Sequence, residues 1–439
     1  MSVTRNLFER LFLLLFLCFP AVMVPAHDGH RAVDRVPDKR LYGATAVPDR
    51  IVLSFVSDPA TSMAVTWRTD SSVRHGIAQI APADHGPNQE KRAKTWEAKT
   101  EPLDAQLGLA HYHSVVFAQL KPQTMYVYRV GDGINWSEWS QFTTAAISAK
   151  PFHFIYVGDA QNDIKSRWSR LIRQAYSDAP KSAFVLHAGD LVNVPNHDGE
   201  WGQWFYAGSH IHRSIPAIAT PGNHEYTHGT LSDHWRPTFT FPADGPAGLD
   251  ESVYKIDYQG ARIISLNSNE KVKEQISWLE QTLRENENPW TIVTFHHPVY
   301  STAAGRDNKH IRDHWQPLFD KYRVDLVLQG HDHTYGRSGQ MKYENIAKGA
   351  MARSADSGTV YVVSVSGPKM YDAQDQDFML RVAEDTQLYQ IIRIDGNELR
   401  YEARTAIGEL YDAFVLRKQS GRPNQLVNQI PDTPEYRRK

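Results

Sequence analysis

Cysteine is nearly absent from this 439-residue chain: the single one, Cys18, lies in an apolar run near the N-terminus. Once that run is cleaved off, no thiol is left, disulfides are excluded, and stability has to come from a buried core. Long apolar runs are scarce too. The most apolar stretch, residues 11–19, is well short of the roughly 20 residues that a bilayer-crossing helix needs, so no membrane span is expected after its removal. Charge of one sign is also lacking, since 48 Lys and Arg against 50 Asp and Glu leave a formal net charge of -2. Such balance gives no bulk attraction to nucleic acid or to an anionic surface, and no nucleic-acid partner is expected. Internal repeats are absent as well.

What is present is ordinary globular material, 41% hydrophobic and 22% charged, enough for two or three domains. Arg5 and Arg10 flank the start of the apolar run and Val24, Pro25 and Ala26 offer a cleavage position, so residues 1–26 read as an export signal and the mature protein as periplasmic or secreted. A polar segment, 27–47, follows. From 48 to 144, short stretches such as RIVLSFVSD, SMAVTWRTD, HYHSVVFAQL and TMYVYRVGDG are rich in Val, Ile, Tyr, Phe and Trp and are bounded by turn residues. That spacing predicts an all-β sandwich with Trp67 in its core. LKPQTMYVYRV, residues 120–130, resembles the strand entry of fibronectin type III domains, with Tyr126 as the corner tyrosine. Beyond the linker TTAAISAK (143–150), near-continuous apolar runs alternate with amphipathic stretches, in one of which Ile276, Leu279 and Leu283 share a helical face. This rhythm predicts an α/β domain over 150–418 whose sheets are buried on both sides. Residues 419–439 carry too little apolar surface to fold alone and are expected to form a flexible tail.

Five apolar runs end in groups suited to a hard or borderline cation. FIYVGDAQ ends in Asp159, FVLHAGDLVN in Asp190, AIATPGNHEY in Asn223 and His224, TIVTFHHPVY in His296, and DLVLQGHDH in His331 and His333. Neutral imidazole is the commonest protein metal ligand, and open α/β sheets bind ligands outside the carboxyl ends of their strands, where these side chains would meet. Each motif alone is weak: His111 and His113 repeat the HxH spacing inside a sandwich strand with no chemistry around them. The ordered set of five is a strong signal. Gly158, Gly189, Gly222 and Gly330 precede four of the polar ends, where a missing Cβ permits a sharp turn beneath a crowded cluster.

Together, GD, GD, GNHE, a histidine and GHDH resemble the signature of the calcineurin-like metallophosphoesterase superfamily over about residues 152–366. The preceding sandwich and the VxxH spacing of Val293 and His296 are similar to purple acid phosphatases. The resemblance implies a fibronectin type III-like sandwich followed by a four-layer αββα phosphoesterase domain with two adjacent metal ions, Fe, Mn or Zn. It assigns Asp159 and His333 to the first ion, Asn223, His296 and His331 to the second, and Asp190 to both. A carboxylate shared between cations offsets their repulsion, while neutral ligands leave enough positive charge to ionise water. His224 is implied to contact phosphate and assist the leaving group, with Glu225 expected to orient it.

Two departures fall on the first ion. Purple acid phosphatases place a tyrosine where this chain has Asn193, so their charge-transfer colour is not expected, and the loss of an anionic donor admits a divalent pair. The first motif reads GDAQ, leaving Gln161 as an amide donor to the ion or to its bound water. Gln161 and Asn193 are therefore further candidates for ligation or for the layer around it, and Arg306 and His310, in AAGRDNKH, are candidates for phosphate binding. His297 points away from His296 on an extended chain and is expected to be structural. The function so implied is that of an exported, acid phosphatase-like phosphomonoesterase acting on small phosphate esters by metal-activated hydroxide attack. The alternatives are a phosphodiesterase of the same superfamily and a noncatalytic binding protein with a relic site.

Overall fold

The computed structural model describes residues 36–343 and 357–438; the expected signal, 1–26, and the first part of the polar segment lie outside the described residues. The N-terminal stretches pair as two facing antiparallel layers. Asp49–Ser54, Met63–Asp70, Gly108–Phe117 and Lys99–Ala105 form one, and Lys94–Glu97, Ile77–Pro82, Met125–Gly131 and Ser140–Thr143 the other. Val65, Trp67, Phe117, Tyr128 and Phe142 are buried in the core they share. The Tyr126 hydroxyl accepts the Lys121 N–H at 2.8 Å, closing the corner. His113 is part of this core, its ring stacked 5.2 Å from that of Trp67 and its two nitrogens each 2.8 Å from a threonine hydroxyl, Thr69 and Thr100. The HxH of the sandwich is thus a packing feature.

Two further sheets face each other beyond residue 150. In the first, Phe152–Val157, Val185–His187 and Ala217–Ala219 run parallel. In the second, Ala261–Ser265, Trp290–Thr294, Leu326–Gln329 and Thr359–Val363 are parallel neighbours. The period-two alternation of apolar residues assigns the faces. Ile263, Ile292, Leu326, Leu328 and Val360 join the core of the first sheet with Phe154, Tyr156 and Leu186, whereas Ile264, Val293, Val327 and Tyr361 pack with Leu279, Leu283, Trp315 and Phe319 of the helices Ile276–Arg284 and Lys309–Tyr322. Leu171, Ile172, Trp201 and Trp204 of the helices Ser169–Asp178 and Asp198–Gly208 cover the first sheet. The result is the helix–sheet–sheet–helix layering implied by the motifs. A buried Arg337–Asp412 pair, with both nitrogens at 2.8 Å, ties the second sheet to the first.

Two features differ from the sequence reading. The sandwich is not a separate bead: Ser54 pairs in parallel register with Ala217, so one 11-stranded sheet, counted among the described residues, runs from the sandwich to the C-terminal strands. Alternation reports which face of a strand is buried and is silent about which edges meet. The expected flexible tail is also corrected. Arg422–Asn428 adds an antiparallel strand to Leu410–Gln419, and farther on Tyr436 stacks 4.9 Å from Tyr411 while its carbonyl accepts the Glu384 N–H at 2.8 Å. The segment has little apolar surface of its own, but a sheet edge already displays the unpaired N–H and C=O groups on which it can pair.

Candidate metal centre

All five polar-tipped strands end at one place, where the carboxyl ends of the parallel strands of both sheets converge. One donor atom each from Asp159, Asp190 and His333 lie within 4.8 Å of one another, and the same holds for Asp190, His296 and His331. Asp190 belongs to both groups. Asn223 Oδ1 joins the second, 2.9 Å from His331 Nδ1 and 3.2 Å from His296 Nε2. Gln161 joins the first, its Nε2 2.9 Å from Asp190 Oδ2 and 3.0 Å from His333 Nε2.

Local backbone geometry makes this crowding possible. Asp159, Asp190 and His331 adopt φ of +49°, +53° and +72°, the left-handed region that residues with a Cβ seldom occupy. A Cβ at Gly222 would collide with the Asp190 carboxylate, and one at Gly330 with that of Asp159. Glu225 does not orient His224, which corrects the expectation. Its Oε2 accepts the N–H groups of Asp190 and Gly222 at 2.8 and 2.7 Å, and its Oε1 those of Leu191 and Val192 at 2.8 and 3.3 Å, so it staples the second motif to the third. His224 instead donates from Nδ1 to the Asn193 carbonyl at 2.6 Å, and its backbone N–H donates to Asp190 Oδ1 at 2.9 Å.

Two rings are pinned through one nitrogen so that the other faces the group. His296 donates from Nδ1 to the Ala188 carbonyl and His333 from Nδ1 to the Lys369 carbonyl, both at 2.8 Å. Burial holds His333 down at about 4 and His331 well below the usual imidazole range, so both keep their lone pairs. Burial likewise drives Asp159 far above the ordinary carboxyl range and, with Asp190 alongside, pushes Glu225 up to about 7. For Asp190 and His296 burial favours the neutral forms, but mutual attraction overrides it, holding Asp190 low and lifting His296 to about 10. Without ions, protons on Asp159 and on His296 balance the buried carboxyl groups, and together with the inward-facing imidazole lone pairs these groups form a donor set from which cations would displace those protons. Gln161 Oε1 is buried without a partner, and turning the amide end for end would aim it into the group. The residues fit a pair of metal ions sharing Asp190.

The other sequence candidates stand around this group. The Asn193 side-chain oxygen accepts from Asn162 at 3.0 Å, and its carbonyl holds His224. His297 bonds Ser268 at 2.8 Å and packs its ring 4.2 Å from that of His331, a structural place. Arg306, 33% exposed, reaches the His331 carbonyl and Asp332 Oδ1, each at 3.3 Å. His310 lies exposed in the first turn of helix Lys309–Tyr322, and its ring shares no hydrogen bond with the group. Sequence reasoning passed over Lys369 and Tyr371. Tyr371 packs 4.7 Å from the His333 ring and carries the Arg306 guanidinium 4.7 Å above its own ring. The signal was available, since VYVVSVSGPKMY is another apolar run with a Gly and polar end.

Comparison with known proteins decides the family. Residues 48–144 match the family described as "Purple acid Phosphatase, N-terminal domain" and residues 152–335 that described as "Calcineurin-like phosphoesterase". The chain belongs to the calcineurin-like phosphoesterases of purple acid phosphatase type. An acid phosphatase type 7 of Mus musculus is 28% identical to this chain over 355 residues, covering 74% of this chain and 76% of that one. An uncharacterized protein of Mycobacterium tuberculosis is 28% identical over 333 residues, which are 66% of this chain but 62% of that relative, so less than two thirds of its length is spanned. The purple acid phosphatase PPD1 from yellow lupin (Lupinus luteus) seeds shares the fold, with a TM-score of 0.72 and 19% identity over 84% of this chain and 74% of its own.

Proposed function

We propose that this protein is exported and hydrolyses small phosphate monoesters at a dinuclear metal centre. Asp159 and His333 would hold one ion, Asn223, His296 and His331 the other, and Asp190 both. The observation that carries this reading is the membership of Asp190 in both donor groups. Ions held there supply Lewis-acid polarisation of the phosphoryl group and of water. The chain's own residues do the rest. Glu225 keeps the Asp190 and Asn223 turns in register. His224, tied through Nδ1 to Asn193, has an Nε2 without a protein partner among the described residues and delivers a proton to the leaving oxygen. Arg306 meets the remaining phosphoryl oxygens with a permanent charge. The name of the murine relative supports a phosphate-ester substrate, and export rests on the N-terminal 26 residues.

Full-length protein loaded with Mn, Zn or Fe should turn over p-nitrophenyl phosphate faster than bis(p-nitrophenyl) phosphate. A preference for the bis ester would make it a phosphodiesterase. Metal-loaded protein inert towards both would leave a binding protein with a relic site. Cell fractionation should find the processed chain outside the cytoplasm, and an unprocessed cytoplasmic chain overturns export.

A further inference from the structure

Two buried arginines of the sandwich reach into the α/β domain and meet one carboxylate, Asp198. Arg50 Nη1 lies 2.5 Å from Asp198 Oδ1, with both side chains 3% exposed, and Arg50 Nη2 donates to the Asp198 carbonyl at 3.0 Å. Arg68 Nη1 stands 3.6 Å from the same carboxylate oxygen, while its Nε and Nη2 grip Asp49 at 2.9 and 2.7 Å. Desolvation offsets much of the attraction in such a buried pair, so its value lies more in fixed geometry than in stability. The local backbone is built to make the reach. Strand Asp49–Ser54 loses register between Asp49 and Val52, and Arg50 takes a left-handed φ of +50°, a bulge that re-aims the side chain.

Asp198 opens helix Asp198–Gly208, and the next residues of that helix hold the loop before it. Glu200 Oε2 accepts the N–H groups of Asn193 and Val194 at 2.7 and 2.9 Å, and Trp201 Nε1 donates to the Pro195 carbonyl at 2.8 Å. The Asn193 carbonyl in turn receives His224 Nδ1–H. We infer that the N-terminal sandwich positions the leaving-group acid: Arg50 and Arg68 fix Asp198, the helix fixes Asn193, and Asn193 fixes the ring of His224. Arg50, Arg68 and Asp198 are positioning residues, and the inference rests on the role of His224 proposed above.

Two monoesters separate this from general scaffolding. Loss of p-nitrophenolate needs little proton donation, whereas the alkoxide leaving from glycerol 2-phosphate needs it. In Arg50→Met and in Asp198→Asn, kcat on glycerol 2-phosphate should fall roughly ten-fold further than kcat on p-nitrophenyl phosphate, within the span a general acid contributes. KM and metal content should stay at wild-type values, and Arg50→Lys, which keeps the charge, should recover part of the ratio. If Arg50→Met does not fold, the near-isosteric Asp198→Asn carries the same ratio. Equal losses on both esters, losses that track metal content, or unchanged kinetics each overturn the inference. Wild-type protein inactive on both esters instead overturns the functional reading, and the inference with it.

Discussion

Replacing Glu225 by Gln tests whether the staple between the second and third motifs holds the centre together. Each carboxylate oxygen receives two backbone N–H groups, from Asp190 and Gly222 on Oε2 and from Leu191 and Val192 on Oε1. Glutamine retains one such oxygen, and its amide group must turn its own N–H bonds towards two buried donors. Two hydrogen bonds to a charged acceptor, about 1.5–3 kcal/mol each, are then lost, roughly 3–6 kcal/mol in all before relaxation. That is a large part of the 5–15 kcal/mol that typically stabilises a fold. Because burial and Asp190 push Glu225 up to about 7 in the metal-free protein, the carboxylate is ionised above that pH and protonated below it. The unfolded chain already releases this proton near the usual 4.5, so wild type loses stability relative to Gln as the pH rises from 4.5 through 7. The difference between them should be smallest above pH 7 and grow as the pH falls below it. Urea unfolding of metal-free protein at pH 8 and at pH 6 reads the first effect. Isothermal titration with Mn or Zn reads the second, an affinity lower by about 10–100-fold, as for other groups that orient ligands. A variant that unfolds at the wild-type urea concentration and binds metal as tightly would refute the staple.

Asp190→Ala should lose both ions together with activity, by elemental analysis and turnover on the same preparation, because both donor groups include it; a variant keeping two metals and wild-type turnover removes Asp190 as the shared ligand. Arg337→Met leaves the buried Asp412 without its guanidinium and should cost about 3–5 kcal/mol in urea unfolding, most of it recovered in Arg337→Met/Asp412→Leu; full additivity of the two single changes would count against a coupled pair. Burial holds His113, His212 and His234 at about 4, below the usual 6.5. Unfolded chains take up protons on these rings below 6.5 while the folded protein does not, so stability is fully present above 6.5 and falls towards 4, by up to about 1.4 kcal/mol per ring per pH unit. Thermal melts at pH 7 and pH 5 should show it, and an unchanged midpoint would show that the rings are protonated in the fold.

What the sequence made legible was local. Each polar-tipped strand announces itself through an apolar run of strand length followed by a donor residue, with a Gly before it in four of the five, so Asp159, Asp190, Asn223, His296, His331 and His333 could be picked out before any packing was known. Which edges meet is a different kind of fact. The Ser54–Ala217 register pair and the strand Arg422–Asn428 join segments with no shared periodicity, and backbone groups, identical in every residue, make the join. Glu225 was misread for a related reason. Its neighbour in sequence is His224, and a carboxylate beside a histidine invites pairing, but its actual partners are backbone amides of two loops, which leave no mark on side-chain identity. Arg50 and Asp198 lie 148 positions apart and each reads alone as a surface charge.

The three left-handed residues of the centre belong to the same account. A side chain at the last residue of a strand points to one face of the sheet, whereas the donor group lies beyond the strand ends and between two sheets. Turning the chain into the left-handed region at the ligand itself swings Asp159, Asp190 and His331 into that space, at about 1–3 kcal/mol of backbone strain each. Glycine would relieve the strain and remove the donor, so the chain sets glycine beside the ligands, at Gly158, Gly189 and Gly330, and leaves the strain on the ligands. What holds them there is a mesh of main-chain bonds: His331 N–H to the Asp159 carboxylate at 2.9 Å, Asp190 N–H to Glu225 at 2.8 Å, Gly367 N–H to the Asp159 carbonyl and Gln161 N–H to the Asp190 carbonyl at 2.8 and 3.1 Å. Local preference is overruled at these positions because the surrounding structure over-determines them, and such disagreement between local and global demands is expected where a fold serves chemistry.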